Sequence, residues 1–389
     1  MTQPTDMPKD SKPVLTPKLR FPEFRNSSGW QEKQIGEICR LYQAETISSS
    51  EFIPNGAHLV YGANGVVGRL DRYNHEDEEV IVSCRGVCGE VHFTKPRSWI
   101  TGNSMVVAPR TDDLQKPFLY RLLSAANLKP IISGSAQPQI TRQGFSPFLV
   151  HIPSTLAEQQ KIAECLSTLD ELIGAESQKL DALKAHKKGL MQQLFPREGE
   201  TLPRLRFPEF QSAPEWETDK LGSVCDLYQP VTLSSAELSM TGEYLVYGAN
   251  GIIGSHNQYN HEDSEIAVTC RGATCGEVTK TKPKSWITGN AMVVKPKSQS
   301  LSKDFIFHYF KNHGLKSVIS GSAQPQITRA GFSPLVVSFP KPDEQHRIAT
   351  CLSSLDELIA AQSDRISALQ THKQGLLQQL FPSSSEVES

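Results

Sequence analysis

Arginine, asparagine and glutamine recur in this chain on loops flanked by glycine, and such side chains are suited to reading the edges of nucleic-acid bases. Arg85 stands between Cys84 and Gly86, and Arg271 stands the same way between Cys270 and Gly272. A guanidinium on such a loop can bond guanine in bidentate fashion, and the amides of Asn64, Asn250, Gln137, Gln139, Gln324 and Gln326 can pair with adenine. Arg142, Arg329, Lys95, Arg97, Lys282 and Lys284 are suited to phosphates, which position a protein on a duplex without specifying its sequence. The Gln-Pro-Gln-Ile-Thr stretch from Gln137 has a second possible use, bracing its domain against a helix.

Other chemistries find less support. The sequence has no G-x-x-x-x-G-K-[ST] loop for nucleotide phosphates, no G-x-G-x-x-G and no H-E-x-x-H, so catalysis is not expected of this chain. Gly62, Gly65 and Gly68 read as a tight turn, since their spacing is wrong for a phosphate cradle and no helix follows them. The acidic runs Asn74–Glu79 and Asn260–Glu265 read as exposed loops before a strand. Cys84 and Cys88 invite a zinc site, but the second pair is spaced differently, as Cys270 and Cys275, and no further C-x-x-C supports it. Buried thiols are the expectation, and no metal ligands are assigned.

The elements that must hold these loops are written twice. Leu19-Arg20-Phe21-Pro22-Glu23-Phe24 returns as Leu205-Arg206-Phe207-Pro208-Glu209-Phe210, and Trp30 returns as Trp216, a shift of 186 residues. The shift becomes 187 by Gln137 and Gln324, because Val87 in one copy faces Ala273-Thr274 in the other. Each copy opens with short strand-like runs cut by glycine turns, for example Val80–Ser83 and Ser104–Val107, and includes a helical stretch, Lys116–Ala126 or Lys303–Asn312. That composition reads as a mixed α+β domain.

A long helix follows each domain. Thr155 to Glu158 has the form of a capping box, Pro342 suits a first turn, and Phe195-Pro196 and Phe381-Pro382 are stops. Ile162, Leu166, Leu169, Ile173, Leu180, Leu183 and Leu190 fall at alternating steps of four and three, as do Ile348, Leu352, Leu355, Ile359, Ile366, Leu369 and Leu376. Polar residues interrupt the two seams at matched places, Glu176 and Lys187 against Gln362 and Lys373. The spacing predicts a coiled coil of helices about 58 Å long, preferred antiparallel because a twofold axis then relates the two copies; a register that brings Glu176 opposite Lys373 would pair unlike charges. The chain then divides into a disordered tail at 1–17, domains at 18–153 and 204–340, helices at 154–195 and 341–382, a linker at 196–203 and a tail at 383–389.

With 389 residues, the chain has room for two cores; 21% charged residues and the absence of a long apolar run exclude a membrane span. The first residues lack the apolar segment of a secretory signal, and eight cysteines outside any dense framework point to reduced thiols in the cytoplasm. A net charge of −2 is unusual for a protein that holds DNA alone: either DNA is not the ligand, or partners supply much of the phosphate contact.

The series Leu59–Gly68, Ser133–Thr141, Glu158–Ala163 and Leu169–Ile173, repeated as Leu245–Gly254, Ser320–Thr328, Glu344–Ala349 and Leu355–Ile359, resembles the specificity subunits of type I restriction–modification systems. The resemblance runs from about Leu19 to Pro382. It implies two target-recognition domains on paired antiparallel helices, each reading half of a bipartite double-stranded DNA target, with modification and restriction subunits as partners. S-adenosylmethionine, ATP and Mg2+ would be bound by those partners and none by this chain. In that family the two recognition domains commonly differ, whereas here they are close copies, which points to an interrupted, near-palindromic target whose differences trace to Arg69–Arg72 against Ser255–Gln258. Two other classes of function fit parts of the pattern. A stand-alone DNA-binding regulator would show a basic face, and a coiled-coil scaffold would not need matched polar loops.

Overall fold

The computed structural model describes residues 15–239, 241–249, 251–321 and 323–382, in two compact units, Met1–Glu176 with Arg365–Ser389, and Ser177–Asp364. The division falls inside the two long helices, so each unit contains one mixed domain and a segment of both helices.

In the first unit the strands are β1 (Gln31–Gln34), β2 (Cys39–Gln43), β3 (His58–Gly62), β4 (Gly65–Leu70), β5 (Val80–Ser83), β6 (Val91–Phe93), β7 (Trp99–Ile100), β8 (Ser104–Pro109) and β9 (Leu149–Ile152). The helices are α1 (Ile35–Ile38), α2 (Lys116–Ala125), α3 (Arg142–Phe145) and α4 (Leu156–Leu194). Strands β2-β8-β5-β6 form an antiparallel sheet, β4-β3-β7 a second sheet with β3 and β7 parallel, and β1 pairs with β9.

The apolar run of β5 is buried along its whole length because both faces of its sheet are covered. Side chains alternate across a strand. Ile81 and Val106 meet Tyr61 and Ile100 of the smaller sheet, while Val80, Val82, Met105 and Val107 join Phe118, Leu119 and Leu122 of α2. Gln115 precedes α2, and a proline in its first turn needs no hydrogen-bond partner there.

The second unit repeats the plan. Its strands are β10 (Glu217–Lys220), β11 (Cys225–Tyr228), β12 (Tyr244–Gly248), β13 (Gly251–His256), β14 (Ile266–Thr269), β15 (Val278–Lys280), β16 (Trp286–Ile287), β17 (Ala291–Pro296) and β18 (Val336–Phe339). Its helices are α5 (Leu221–Val224), α6 (Lys303–His313), α7 (Arg329–Phe332) and α8 (Pro342–Leu380). The sheets are β11-β17-β14-β15, β13-β12-β16 and β10-β18.

The long helices start and stop where the sequence places them, but their ends serve the globular cores. Ile162, Leu166, Leu380 and Phe381 are buried with Trp30 and Phe118 in the first unit. Ile348, Leu352, Leu194 and Phe195 do the same with Trp216 and Phe305 in the second, and Leu190 and Leu376 pack on these cores. The first turns of each seam are therefore domain core rather than coiled-coil contact. Farther along, Leu169, Ile173, Leu180, Leu183, Leu355, Ile359 and Leu369 are half-buried and Ile366 is buried.

The polar seam residues take partners from outside the seams. Lys373 reaches Asp170 at 2.5 Å, Glu176 takes Arg365 at 2.8 Å, and Lys187 pairs with Asp356. Asp170 is thus gripped by Lys373 and by Arg121 of α2. Burial raises its pKa, but hydrogen bonds from these two cations outweigh that effect and hold the carboxyl below its usual range. Within the first unit the two helix segments run antiparallel, since Glu176 lies after Asp170 while Arg365 lies before Lys373.

Two further expectations change. Residues 1–14 of the expected tail and all of 383–389 lie outside the described residues, but Leu15 forms a bridge to Trp30, so ordered chain begins before 18. The capping box at Thr155 closes on one side only. Thr155 Oγ1 accepts from the Glu158 N–H at 3.4 Å, while the Glu158 carboxylate is taken by Arg20.

Candidate nucleic-acid interface

Three loops converge at one end of the β5–β6 ladder in the first unit. The first is the β3–β4 turn, where Gly65 at φ 77° follows an exposed Asn64. Ser83 Oγ donates to the Ala63 carbonyl and ties that turn to the end of β5. The second loop leaves β5 at Cys84 and carries the exposed Arg85. The third is Ser133–Thr141. Arg85 and Gln139 form a bridge, the Ile140 N–H donates to the Cys84 carbonyl at 3.0 Å, and Cys88 Sγ donates to the Pro138 carbonyl at 3.0 Å.

This third loop curls on itself before it returns to the core. Ser133 and Gln139 exchange main-chain hydrogen bonds at 2.9 and 2.8 Å, and a Cβ on Gly134, at φ 85°, would lie 2.6 Å from the Gln137 carbonyl. Only glycine suits such an approach in that backbone region. Ile140 is then buried, Thr141 Oγ1 accepts from the Gly144 N–H at 3.1 Å, and α3 begins with the exposed Arg142. The glutamine loop is therefore braced against the arginine loop, and its Ile140 is buried in the core that Ile162 and Leu166 of the long helix also enter.

The result is one polar surface on which Asn64, Arg85, Gln137, Gln139 and Arg142 are all exposed. The second unit assembles Arg271, Gln324, Gln326 and Arg329 in the same way. Arg271 bridges Gln326, Ile327 N–H donates to Cys270 O at 3.0 Å, and Thr269 Oγ1 donates to Ala249 O at 2.8 Å. Asn250 lies outside the described residues. Rigid main-chain ties of this kind present side chains to a ligand with little loss of freedom on binding.

Lys95, Arg97, Lys282 and Lys284 do not join this surface. β5 and β6 pair Val80 with Phe93 and Val82 with Val91, so the segment after Phe93 leaves the ladder at the end away from Arg85. Arg97, at φ 52°, is paired with Glu76 at 2.9 Å, and Lys284, at φ 51°, faces Glu262 at 4.0 Å. The acidic runs are thus partners of these turns. Among the described residues, no group of three or more His, Cys, Asp or Glu side chains gathers to hold a metal ion.

The cysteines are all free. Cys84 is buried, accepts from Gln43 Nε2 at 2.9 Å and donates to the Asn103 carbonyl at 3.1 Å. Burial raises the thiol pKa of Cys84 and pushes those of Cys39 and Cys225 up to about 12, so these are neutral, inert thiols.

Within the sequence-divergent stretches, Arg69, Asp71, Arg72, Ser255 and His256 make contacts inside their own domains, while Asn257 and Gln258 are exposed. Arg69 Nε donates to Gly56 O at 2.6 Å, Asp71 accepts from the Ala57 N–H at 3.1 Å, and Arg72 pairs with Glu51 at 2.8 Å over the ring of Trp99. In the second copy Ser255 Oγ donates to Ser239 O at 2.7 Å, and His256 packs edge-on to Trp286.

Sequence reasoning missed the purpose of the doubled Leu-Arg-Phe-Pro-Glu-Phe motif. Arg20 bonds both carboxylate oxygens of Glu158 at 2.7 Å, and its other N–H groups donate to the carbonyls of Ser27 and Ser28. The Leu19 N–H donates to Gln379 O near the end of α8 at 2.9 Å. Arg206, Glu344, Leu205 and Gln193 repeat the arrangement. The exact doubling of motif and helix start was the signal that could have found it.

Known proteins give this geometry a context. The Methanocaldococcus jannaschii type I restriction enzyme MjaVIII specificity subunit is 24% identical over 72% of this chain and 71% of its own length. A protein from the same organism, the putative type I restriction enzyme MjaX specificity subunit, is 23% identical over 94% of this chain and 99% of its own length. The crystal structure of the type I restriction–modification system S subunit from M. genitalium shares the fold, with a TM-score of 0.70 at 17% identity over 95% of this chain and 100% of that one. The type I restriction modification DNA specificity domain matches residues 27–185 and again 214–371. Matched twice over most of its length, with one polar loop surface in each copy, this chain belongs to the type I restriction–modification specificity family.

Proposed function

We propose that this chain reads DNA for a type I restriction–modification complex and performs none of its chemistry. The observation that carries this reading is the duplicated surface of Arg85, Gln137 and Gln139 and of Arg271, Gln324 and Gln326, each set held by the same main-chain bridge. Exposed guanidinium and amide groups on fixed backbone suit base edges in the major groove. Two such surfaces suit a bipartite target, and their likeness suits half-sites related in inverted order, with the heptad seams of α4 and α8 acting as an antiparallel coiled-coil spacer. Modification subunits binding S-adenosylmethionine, and restriction subunits binding ATP and Mg2+, supply methyl transfer, translocation and cleavage in the cytoplasm. Their contacts with phosphate offset the weakly acidic charge of this chain. No helix among the described residues is long and apolar enough to cross a membrane.

The test compares the purified chain with the chain plus a type I modification subunit. The chain alone is expected neither to methylate nor to cut DNA with S-adenosylmethionine and ATP present, and the pair is expected to methylate adenine in one bipartite sequence. Methyl transfer by the chain alone, free of other subunits, overturns the reading.

A further inference from the structure

Four polar positions exposed on both loop surfaces hold the same residue types: Arg85 and Arg271, Gln137 and Gln324, Gln139 and Gln326, Arg142 and Arg329. Identical groups on equivalent backbone read identical bases, so they cannot make the two half-sites differ. Of the stretches that diverge most visibly in sequence, Arg69, Asp71, Arg72, Ser255 and His256 make bonds or ring contacts within their own domains. A further difference lies on the loop surface itself.

One place there differs in length as well as in residue type. Both arginine loops close on the same rungs. Ser83 N–H donates to Glu90 O at 2.8 Å and Gly89 N–H to Ser83 O at 2.9 Å, and in the second copy Thr269 N–H donates to Glu277 O and Gly276 N–H to Thr269 O, both at 2.9 Å. Between these fixed ends the second copy has one residue more. An added residue extends a chain by as much as about 3.5 Å, and here that length has nowhere to go but the loop.

The side chains differ too. Val87 is 49% exposed beside Arg85 and Gly86. Its isopropyl group is of the kind that packs on the 5-methyl of thymine. In the second copy the Thr274 hydroxyl donates to Ala249 O at 2.6 Å, drawing that residue toward the β12–β13 turn, and Ala273 is exposed in its place. The Pro138 carbonyl is held by the Cys88 thiol, whereas the Pro325 carbonyl is held by the Gly272 N–H at 3.2 Å. The inserted residue has thus changed how the arginine loop engages the glutamine loop.

We propose that the residues between Gly86 and Cys88 in the first domain and between Gly272 and Cys275 in the second, Val87 against Ala273-Thr274, determine the difference between the two half-sites. The first half-site contains a thymine-bearing pair next to the base read by Arg85, selected by Val87; the second has a different preference there. This rests on the base-reading role proposed above.

The experiment co-expresses each variant with the modification subunit and sequences the methylated positions genome-wide. Replacing Val87 by Ala-Thr is expected to turn the first half-site into the second, and replacing Ala273-Thr274 by Val to do the reverse. Val87→Ala alone, a change at an exposed position that keeps the loop length, removes the apolar contact of two methyl groups and is expected to relax selection at the thymine-bearing pair by about tenfold. Exchanges at other differing exposed positions, Val66-Val67 with Ile252-Ile253, Glu45 with Val231 and Gln143 with Ala330, are expected to leave the half-site difference intact. The proposal is overturned if Val87→Ala leaves the first half-site unchanged, if those exchanges move the difference instead, or if the wild-type half-sites are identical. Wild-type methylation with no sequence preference removes the base-reading role itself, and the proposal with it.

Discussion

Arg20 and Glu158 form a bidentate ion pair, 138 residues apart in sequence, with side chains 7% and 1% exposed. The Trp30 indole N–H adds a third bond to the carboxylate at 3.2 Å, whereas the Trp216 indole has no partner among the described residues. Together with the Leu19 bond to Gln379, this pair latches the start of the domain to the first turn of α4 and the last turn of α8. A buried pair of this kind is costly to break because the surviving charge is left without a partner. Arg20→Met is therefore expected to destabilise the first unit by about 3–5 kcal/mol, and Arg20→Met with Glu158→Met to recover much of the loss. Denaturant unfolding checks this; equal stability of the single and double variants would show that the pair does not hold the junction.

Arg85→Ala is expected to relax discrimination in one half-site and Arg271→Ala in the other, each by about 1–3 kcal/mol if the contact is bidentate to guanine. Both side chains are exposed, so the fold survives either change. Binding measured on DNA substituted one base pair at a time separates the outcomes. Uniform weakening on every sequence would mark these arginines as phosphate contacts.

Gly134→Ala places a methyl group 2.6 Å from the Gln137 carbonyl in a backbone region that costs other residues about 1–3 kcal/mol. The loop must open to relieve the clash, carrying Gln137 and Gln139 away from Arg85. Specific methylation by the complex is expected to fall by about tenfold or more while far-UV circular dichroism stays unchanged. Unaltered methylation would show that this loop does not read DNA.

His308 is 1% exposed in α6, bonds Ser353 Oγ at 3.1 Å and occupies the place that Arg121 holds in the first unit. Burial first, and then the charge of Lys187, push its pKa down to about 4, against the pull of Asp356 and Asp304. The unfolded chain binds this proton near pH 6.5 and the folded chain only near 4, so the contribution to stability is full above about 6.5 and is lost as pH falls through that window. The loss is expected to reach about 1–3 kcal/mol at pH 4. Thermal unfolding of the wild type and of His308→Gln between pH 7 and 4 checks this, with the variant expected to show the smaller fall.

The sequence by itself determined the elements of local origin. Apolar runs such as Val80–Ser83, glycine turns such as Gly65, and the steps of four and three from Ile162 to Leu190 depend on strand and helix periods, and repetition marked each of them twice. The prolines after Phe195 and Phe381 stopped the long helices because they restrict the residue before them. Even the exposure of Arg85 and Gln139 could be read from their neighbours.

Only the tertiary structure decided which partners these residues take. The heptad spacing could not show that Ile162 and Leu352 belong to globular cores, because the same apolar stripe suits a domain as well as another helix. Lys373 meets Asp170, and Glu158 meets Arg20 instead of closing its capping box, through contacts between distant segments that follow no local period. The turn at Lys95 and Arg97 left the base-reading surface because the ladder of β5 and β6 has two ends, and pairing alone sets which residues emerge at each. Arg69, Asp71 and Arg72 read as free to differ for a ligand's sake until the fold supplied Gly56, Ala57 and Glu51 as their partners. A side chain's availability depends on what three-dimensional packing brings within hydrogen-bond reach, and that distance is not written in sequence order.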